Sequence, residues 1–148
     1  MVVINPWVSA ARITATMPAG TTTGTIAITT HAGTGASETS FTVTFTPTVT
    51  LKLSGLTSGA IKLGKRVTAK GKVAPISLAG SAVKLTVQKE KSGRWVTIKS
   101  VKRTISATGT YSWKHKPAKK GAYRTRATIA KTSVHAAAAT KWRPFKVE

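Results

Sequence analysis

The stretch GTYSWKHKPAKKGAYRTRATIA, residues 109–130, limits what the chain can fold into more than any other. Tyr111, Trp113 and His115 alternate with Ser112, Lys114 and Lys116; beyond Pro117 to Gly121, Tyr123, Thr125, Ala127 and Ile129 alternate with Arg124, Arg126 and Thr128. A period of two puts successive side chains on opposite faces of a strand, so the segment predicts two strands joined by a basic turn. One face is aromatic and aliphatic, and the other is cationic. A half-buried antiparallel sheet with one solvated face satisfies both.

A chain of 148 residues with 41% hydrophobic content is long enough to bury a core, as one large or two small domains. The charge distribution favours two. Residues 2–45 are rich in Thr, Ala and Gly and hold one basic residue, Arg12, and one acid, Glu38. All the excess positive charge lies between Lys52 and Lys146. Pro47 interrupts the strand pattern at this break, which predicts modules at 1–46 and 47–148. The opening MVVINPWVSAARI lacks the basic and then apolar regions of a signal peptide, and no run of about eighteen apolar residues occurs, so no membrane span is expected. With no Cys, neither disulfides nor thiolate metal sites arise.

In the first module, ARITAT (11–16), TIAITT (25–30) and TSFTVTF (39–45) read as strands, with MPAGTTTG and HAGTGAS as turns. The run RITATMPAGTTTGTIAITTHAGTGASETSFTVTF resembles the C-terminal half of an IPT/TIG domain, a bacterial immunoglobulin-like module that ends in a hairpin, a Gly-rich turn and a final FTV strand. The family's opening strands have no counterpart here. Three strands leave an apolar face or an unpaired edge, so the expectation is a module that begins inside a longer chain or is completed by a neighbour's strand.

In the second module, VTLKL (49–53) sets Val49, Leu51 and Leu53 on one face, RVTAKGKV (66–73) sets Val67, Ala69, Gly71 and Val73, and VKLTVQK (83–89) sets Val83, Leu85 and Val87. Lys52, Lys70, Lys72 and Lys84 then point outward. RWVTIKSV (94–101) is apolar on both faces, which predicts a central or covered strand, and Pro144 in KWRPFKVE (141–148) predicts an edge strand. With the pair at 109–130 there are seven strands. The run Ala136 to Ala139 is too short for a stable helix.

The segments VTAKGKVAP, VKLTVQKEKSGRWVTIKS and TGTYSWKHKPAKKGAYRTRATIAKTSVHAAAATKWRPFKV resemble the immunoglobulin-like repeats at the C-termini of large secreted and cell-surface proteins of actinobacteria and related bacteria. Gly121 ahead of Tyr123 resembles the corner entering the penultimate strand of such a sandwich. The resemblances imply an all-β fold of tandem immunoglobulin-like β-sandwich modules, the first incomplete. They also imply a secreted or cell-surface location and a stalk, adhesion or wall-associated role, and they carry over no catalytic residue.

The residue supply argues against catalysis. Glu38, Glu90 and Glu148 are the only carboxylates, spread over separate elements, so neither a paired-carboxylate site nor a Ca²⁺ cage is expected. Without Asp no Ser–His–Asp triad forms, and no G-x-S-x-G elbow or phosphate-binding Gly loop is present. His31, His115 and His135 lack ligand spacing and read as turn or surface residues. No metal or cofactor is expected.

What remains is charge: 24 Lys and Arg against three acids, a net +21, with Lys in the majority. Such a chain attracts polyanions, and lysines favour diffuse contact over bidentate base reading. The candidate polyanion-binding residues are Lys99, Lys102 and Arg103, then Lys114, Lys116, Lys119 and Lys120 around the basic turn, then Arg124 and Arg126. The expected partner is an anionic cell-wall polymer or acidic glycan, with nucleic acid as the alternative. Trp95, Trp113 and Trp142 either stack on sugars or bases or lie in the core, and core is the expectation.

Overall fold

The computed structural model describes residues 23–148, and among them the regular structure is β apart from one 3-10 turn. The chain divides into two compact units between Val43 and Thr44. The strand expected at 11–16 lies outside the described residues.

In the first unit β1 (Ala27–Thr30) and β2 (Gly33–Ala36) form an antiparallel hairpin closed by His31 and Ala32. The turn expected over HAGTGAS is therefore two residues long, and GTGA is strand. Thr29 and Thr34 face each other across the ladder with hydroxyl oxygens 2.9 Å apart. The strand expected at 39–45 shrinks to two isolated bridges, Phe41 with Gly24 and Phe45 with His135. Ser37 explains part of this: its hydroxyl donates to the Thr39 carbonyl at 2.7 Å and accepts from the Ile26 N–H at 3.0 Å, offering the backbone an alternative to a ladder.

The second unit comprises β3 (Thr48–Val49), β4 (Lys52–Ser54), β5 (Ala60–Ile61), β6 (Val67–Ala74), β7 (Ala82–Lys91), β8 (Arg94–Thr104), β9 (Thr110–His115), β10 (Gly121–Ile129), β11 (Ala138–Ala139) and β12 (Arg143–Val147). Around β6, β9 pairs antiparallel, and β3 and β4 keep one register as two halves of an interrupted strand, with Val49 opposite Val73 and Lys52 opposite Lys70. The second sheet runs β5–β12–β10–β7–β8, with β11 also on β10. Val67, Ala69, Val73, Tyr111 and Trp113 of the first sheet meet Val83, Leu85, Val87, Tyr123, Ala127, Ile129, Phe145 and Val147 of the second in one buried cluster. This is a two-layer β-sandwich whose inward residues alternate as the pattern predicts.

Two tyrosines lock it. Tyr123, 1% exposed, stacks on Phe145 at 5.3 Å and donates its hydroxyl to the Lys119 carbonyl at 2.5 Å, the arrangement known in sandwiches as a tyrosine corner. Gly121, at φ +132°, lets the chain turn into β10 there. Tyr111 reaches across Gly71 and donates to the Thr50 carbonyl. That carbonyl is thereby diverted from the ladder, and the Lys72 N–H bonds the Thr50 side-chain hydroxyl at 2.9 Å instead. The substitution splits the expected strand 49–53 into β3 and β4.

Other expectations need correction. Residues 94–101 belong to β8, an edge strand paired with β7 alone, and Val96 and Ile98 are exposed. Apolar residues on both faces mark here a strand whose outer face carries Trp95 and whose inner face overhangs the core. His31 is exposed in the hairpin turn as expected, but His115 is half-buried and His135 is buried. His115 continues the inward row of β9, stacking on Trp113 at 5.1 Å, and His135 is buried against Phe45 at 5.7 Å. Pro144 does sit at an open edge, because β5 pairs only with Lys146 and Val147 of β12.

Candidate functional site

The nine cations singled out from the sequence do not converge. Lys102 faces solvent opposite Lys84 in the β7–β8 register, whereas Lys99 and Arg103 lie opposite Val87 and Val83, on the inward side of a strand that overhangs the core. Lys114 is on β9 in the other sheet, and Lys116, Lys119 and Lys120 are exposed in the turn beyond it. Lys99 approaches His115 closely enough to matter electrostatically. Burial, and then the Lys99 charge, hold the imidazole below its ordinary pKa of 6.5, and its Nε2 is buried without a hydrogen-bond partner.

Arg124 and Arg126 do something else. They project from the outer face of β10 and are half-buried against indole rings. The Arg124 guanidinium carbon is 4.3 Å from the Trp95 ring centroid and 4.4 Å from that of Trp142, and Arg126 is 4.7 Å from Trp142. Arg124 Nε also donates to Gln88 Oε1 at 2.8 Å. Each such contact contributes roughly 0.5–1 kcal/mol at an exposed site. Of the three tryptophans expected in the core only Trp113 is there, 8% exposed. A guanidinium group lies over Trp95 and two lie over Trp142.

The structure also gathers cations that the sequence did not connect. A groove of about 1010 Å³ is lined by Lys52, Lys70, Lys72, Lys141 and Arg143, and no carboxylate lines it. Thr110, Ser112 and Thr140 add hydroxyls to its wall, and it passes Gly71 and Tyr111. The β4–β6 register sets Lys52 directly opposite Lys70, with Lys72 two residues along the same strand. Burial pushes the Tyr111 phenol up to about 12, so at neutral pH it remains a neutral donor. The alternation in VTLKL and TAKGK is the signal for the three lysines. Their meeting with Lys141 and Arg143 depends on tertiary placement that no local pattern encodes.

The cations are scarcely neutralised. Among the described residues the single ion pair is Lys146 with Glu148 at 3.1 Å, both exposed.

No family model matches the chain. No curated protein matches it. Among solved structures it is similar to the soluble domain of PmoD from Methylocystis sp. (Rockwell), with 14% identity, a TM-score of 0.47, and coverage of 68% of this chain and 90% of that one.

Proposed function

We propose that this chain is a non-catalytic structural and adhesion module of a bacterial secreted or cell-surface protein, which attaches electrostatically to anionic wall polymers or acidic glycans. In this reading the two units are tandem immunoglobulin-like modules, the first incomplete, and the basic sandwich is the attaching part. The supporting observation is the unneutralised charge: a net +21 on the sequence, with one exposed ion pair among the described residues. A rigid sheet fixes the lysines in an array, and each anion they engage releases condensed counterions, so attachment strengthens as salt falls.

The test is binding of the full chain to isolated Gram-positive walls, to walls stripped of anionic polymers and to duplex DNA, each across a salt series. Binding to intact walls that stripping abolishes supports the proposal. Preference for DNA at matched charge density replaces it with the nucleic-acid reading, and recovery of the parent protein in the cytosol rather than the envelope sinks the location.

Exposed Ile26 and Phe41 in the first unit favour a second, compatible reading, in which a neighbouring chain's strand completes that unit. Light scattering of the purified chain decides it: an oligomer supports strand exchange, and a monomer across the micromolar range rejects it.

A further inference from the structure

We infer that the groove beside Gly71 is the seat of the polyanion, and that its ligand is a phosphate-bearing chain recognised without stacking; this rests on the polyanion reading above. Three observations lead there. First, charge of one sign is focused only where a concave wall collects it, and this wall collects Lys52, Lys70, Lys72, Lys141 and Arg143 with no carboxylate among them. The nine cations of the β8, β9 and β10 set, by contrast, are spread over two sheets, with Arg124 held against Trp95 and Trp142 and Arg126 against Trp142.

Second, the arrangement costs stability unless something anionic occupies it. Like charges directly opposite on a sheet face destabilise, and Lys52 stands opposite Lys70 with Lys72 about 7 Å along the strand. Third, the groove lacks a stacking platform. Tyr111 is the aromatic residue that lines it; the ring is 4% exposed and its hydroxyl is already given to the Thr50 carbonyl. Recognition of bases in single strands relies on free ring faces, and the groove offers none.

What the wall does offer is ammonium groups, one guanidinium and the hydroxyls of Thr110, Ser112 and Thr140. Compact ammonium charges with rotatable donors suit successive phosphate oxygens on a flexible chain. The volume, about 1010 Å³, stands at the upper end of the roughly 300–1,000 Å³ typical of ligand sites, enough for several repeat units of a polymer.

The experiment compares the full-length protein with two variants that each remove three charges. K52Q/K70Q/K72Q acts in the groove, and K102Q/K116Q/K119Q acts outside it; all six lysines are exposed, and thermal melts check that both variants fold. The probes are inorganic polyphosphate and poly(glycerol phosphate), which separate the two sources of a phosphate chain, with single-stranded DNA of equal charge as comparison. The groove variant is expected to lose at least ten-fold in affinity for a phosphate chain at about 0.15 M salt, and about two in salt slope, while the outer variant loses less than three-fold. Equal losses in both variants, or no loss in the groove variant, overturn the groove as the seat while polyanion binding stands. DNA binding clearly tighter than the phosphate chains at equal charge overturns recognition without stacking, since stacked bases add to the backbone attraction. Failure of the unaltered protein to bind any probe removes the polyanion reading itself.

Discussion

Replacing Gly71 with alanine probes the interlock that shapes the first sheet. A Cβ at this position meets the Thr50 carbonyl oxygen at 1.9 Å and the Tyr111 hydroxyl at 2.6 Å, and the nearer of these is backbone, which a rotamer change cannot move. Either β3 and β4 shift away from β6, or Tyr111 withdraws. In both cases the Tyr111–Thr50 hydrogen bond is lost in a site where Tyr111 is 4% exposed. An unsatisfied buried group costs about 1–3 kcal/mol and overpacking a similar amount, so Gly71→Ala is expected to cost about 3–5 kcal/mol, a large share of a typical domain's 5–15. Tyr111→Phe, which removes only the hydroxyl, is expected to cost about 1–2 kcal/mol. In the Gly71→Ala background the bond is already broken, so the second change is expected to cost less than half as much. Urea titrations followed by Trp fluorescence and far-UV circular dichroism give all four stabilities of the cycle. A Gly71→Ala protein within about 0.5 kcal/mol of the parent, or strict additivity in the double variant, refutes the interlock.

Three other outcomes follow from the same geometry. Tyr111 ionises near 10 when unfolded and about 12 when folded, so its contribution to stability is complete below pH 10 and is lost as the pH rises toward 12; urea midpoints at pH 9 and 11.5 are expected to differ more in the parent than in Tyr111→Phe. For His115 the sign is opposite: the folded imidazole takes up its proton below 6.5, the unfolded chain protonates first on acidification, and stability falls between pH 7 and 5, a slope that His115→Gln is expected to flatten. Arg124→Ala removes contacts to two indoles and the hydrogen bond to Gln88, an expected loss of about 2 kcal/mol with a changed native Trp emission spectrum, and Arg124→Lys recovers less than half, because an ammonium lacks the planar fork; unchanged stability in both contradicts a stabilising role for the guanidinium–indole contacts.

Much of the sandwich is legible because alternation is a local property. Tyr111 and Trp113, Tyr123 to Ile129, and Val83, Leu85 and Val87 all bury the side that their period of two indicates. Gly121 and Tyr123 mark the corner for the same reason, since both ends of the hydrogen bond lie within a few residues. What was not legible depends on distant partners. β5 and β11, two residues each, exist only because β12 and β10 lie beside them. The break at Thr50 is set by Tyr111, sixty-one residues away. Trp95 and Trp142 look like core residues until β10 supplies two guanidinium groups on the solvent face. His31 lies exposed in a turn as its residue type suggests, whereas His115 does not, and the alternation of Tyr111, Trp113 and His115 sets it on the inward face. The groove is the hardest case, because strand pattern gives the facing of Lys52, Lys70 and Lys72 but not what the chain near Lys141 brings against them.

The most direct measurement is the affinity of the full chain for poly(glycerol phosphate) from about 0.05 to 0.5 M salt, against uncharged dextran. Unneutralised cations gathered in one groove predict a linear fall of log K with log salt, with a slope of about −3 to −4 if each of five cations engages one phosphate at about −0.7 per contact, and no binding to dextran. Binding that persists unchanged to 0.5 M salt, equal binding to dextran, or none at 0.05 M contradicts an electrostatic attachment module.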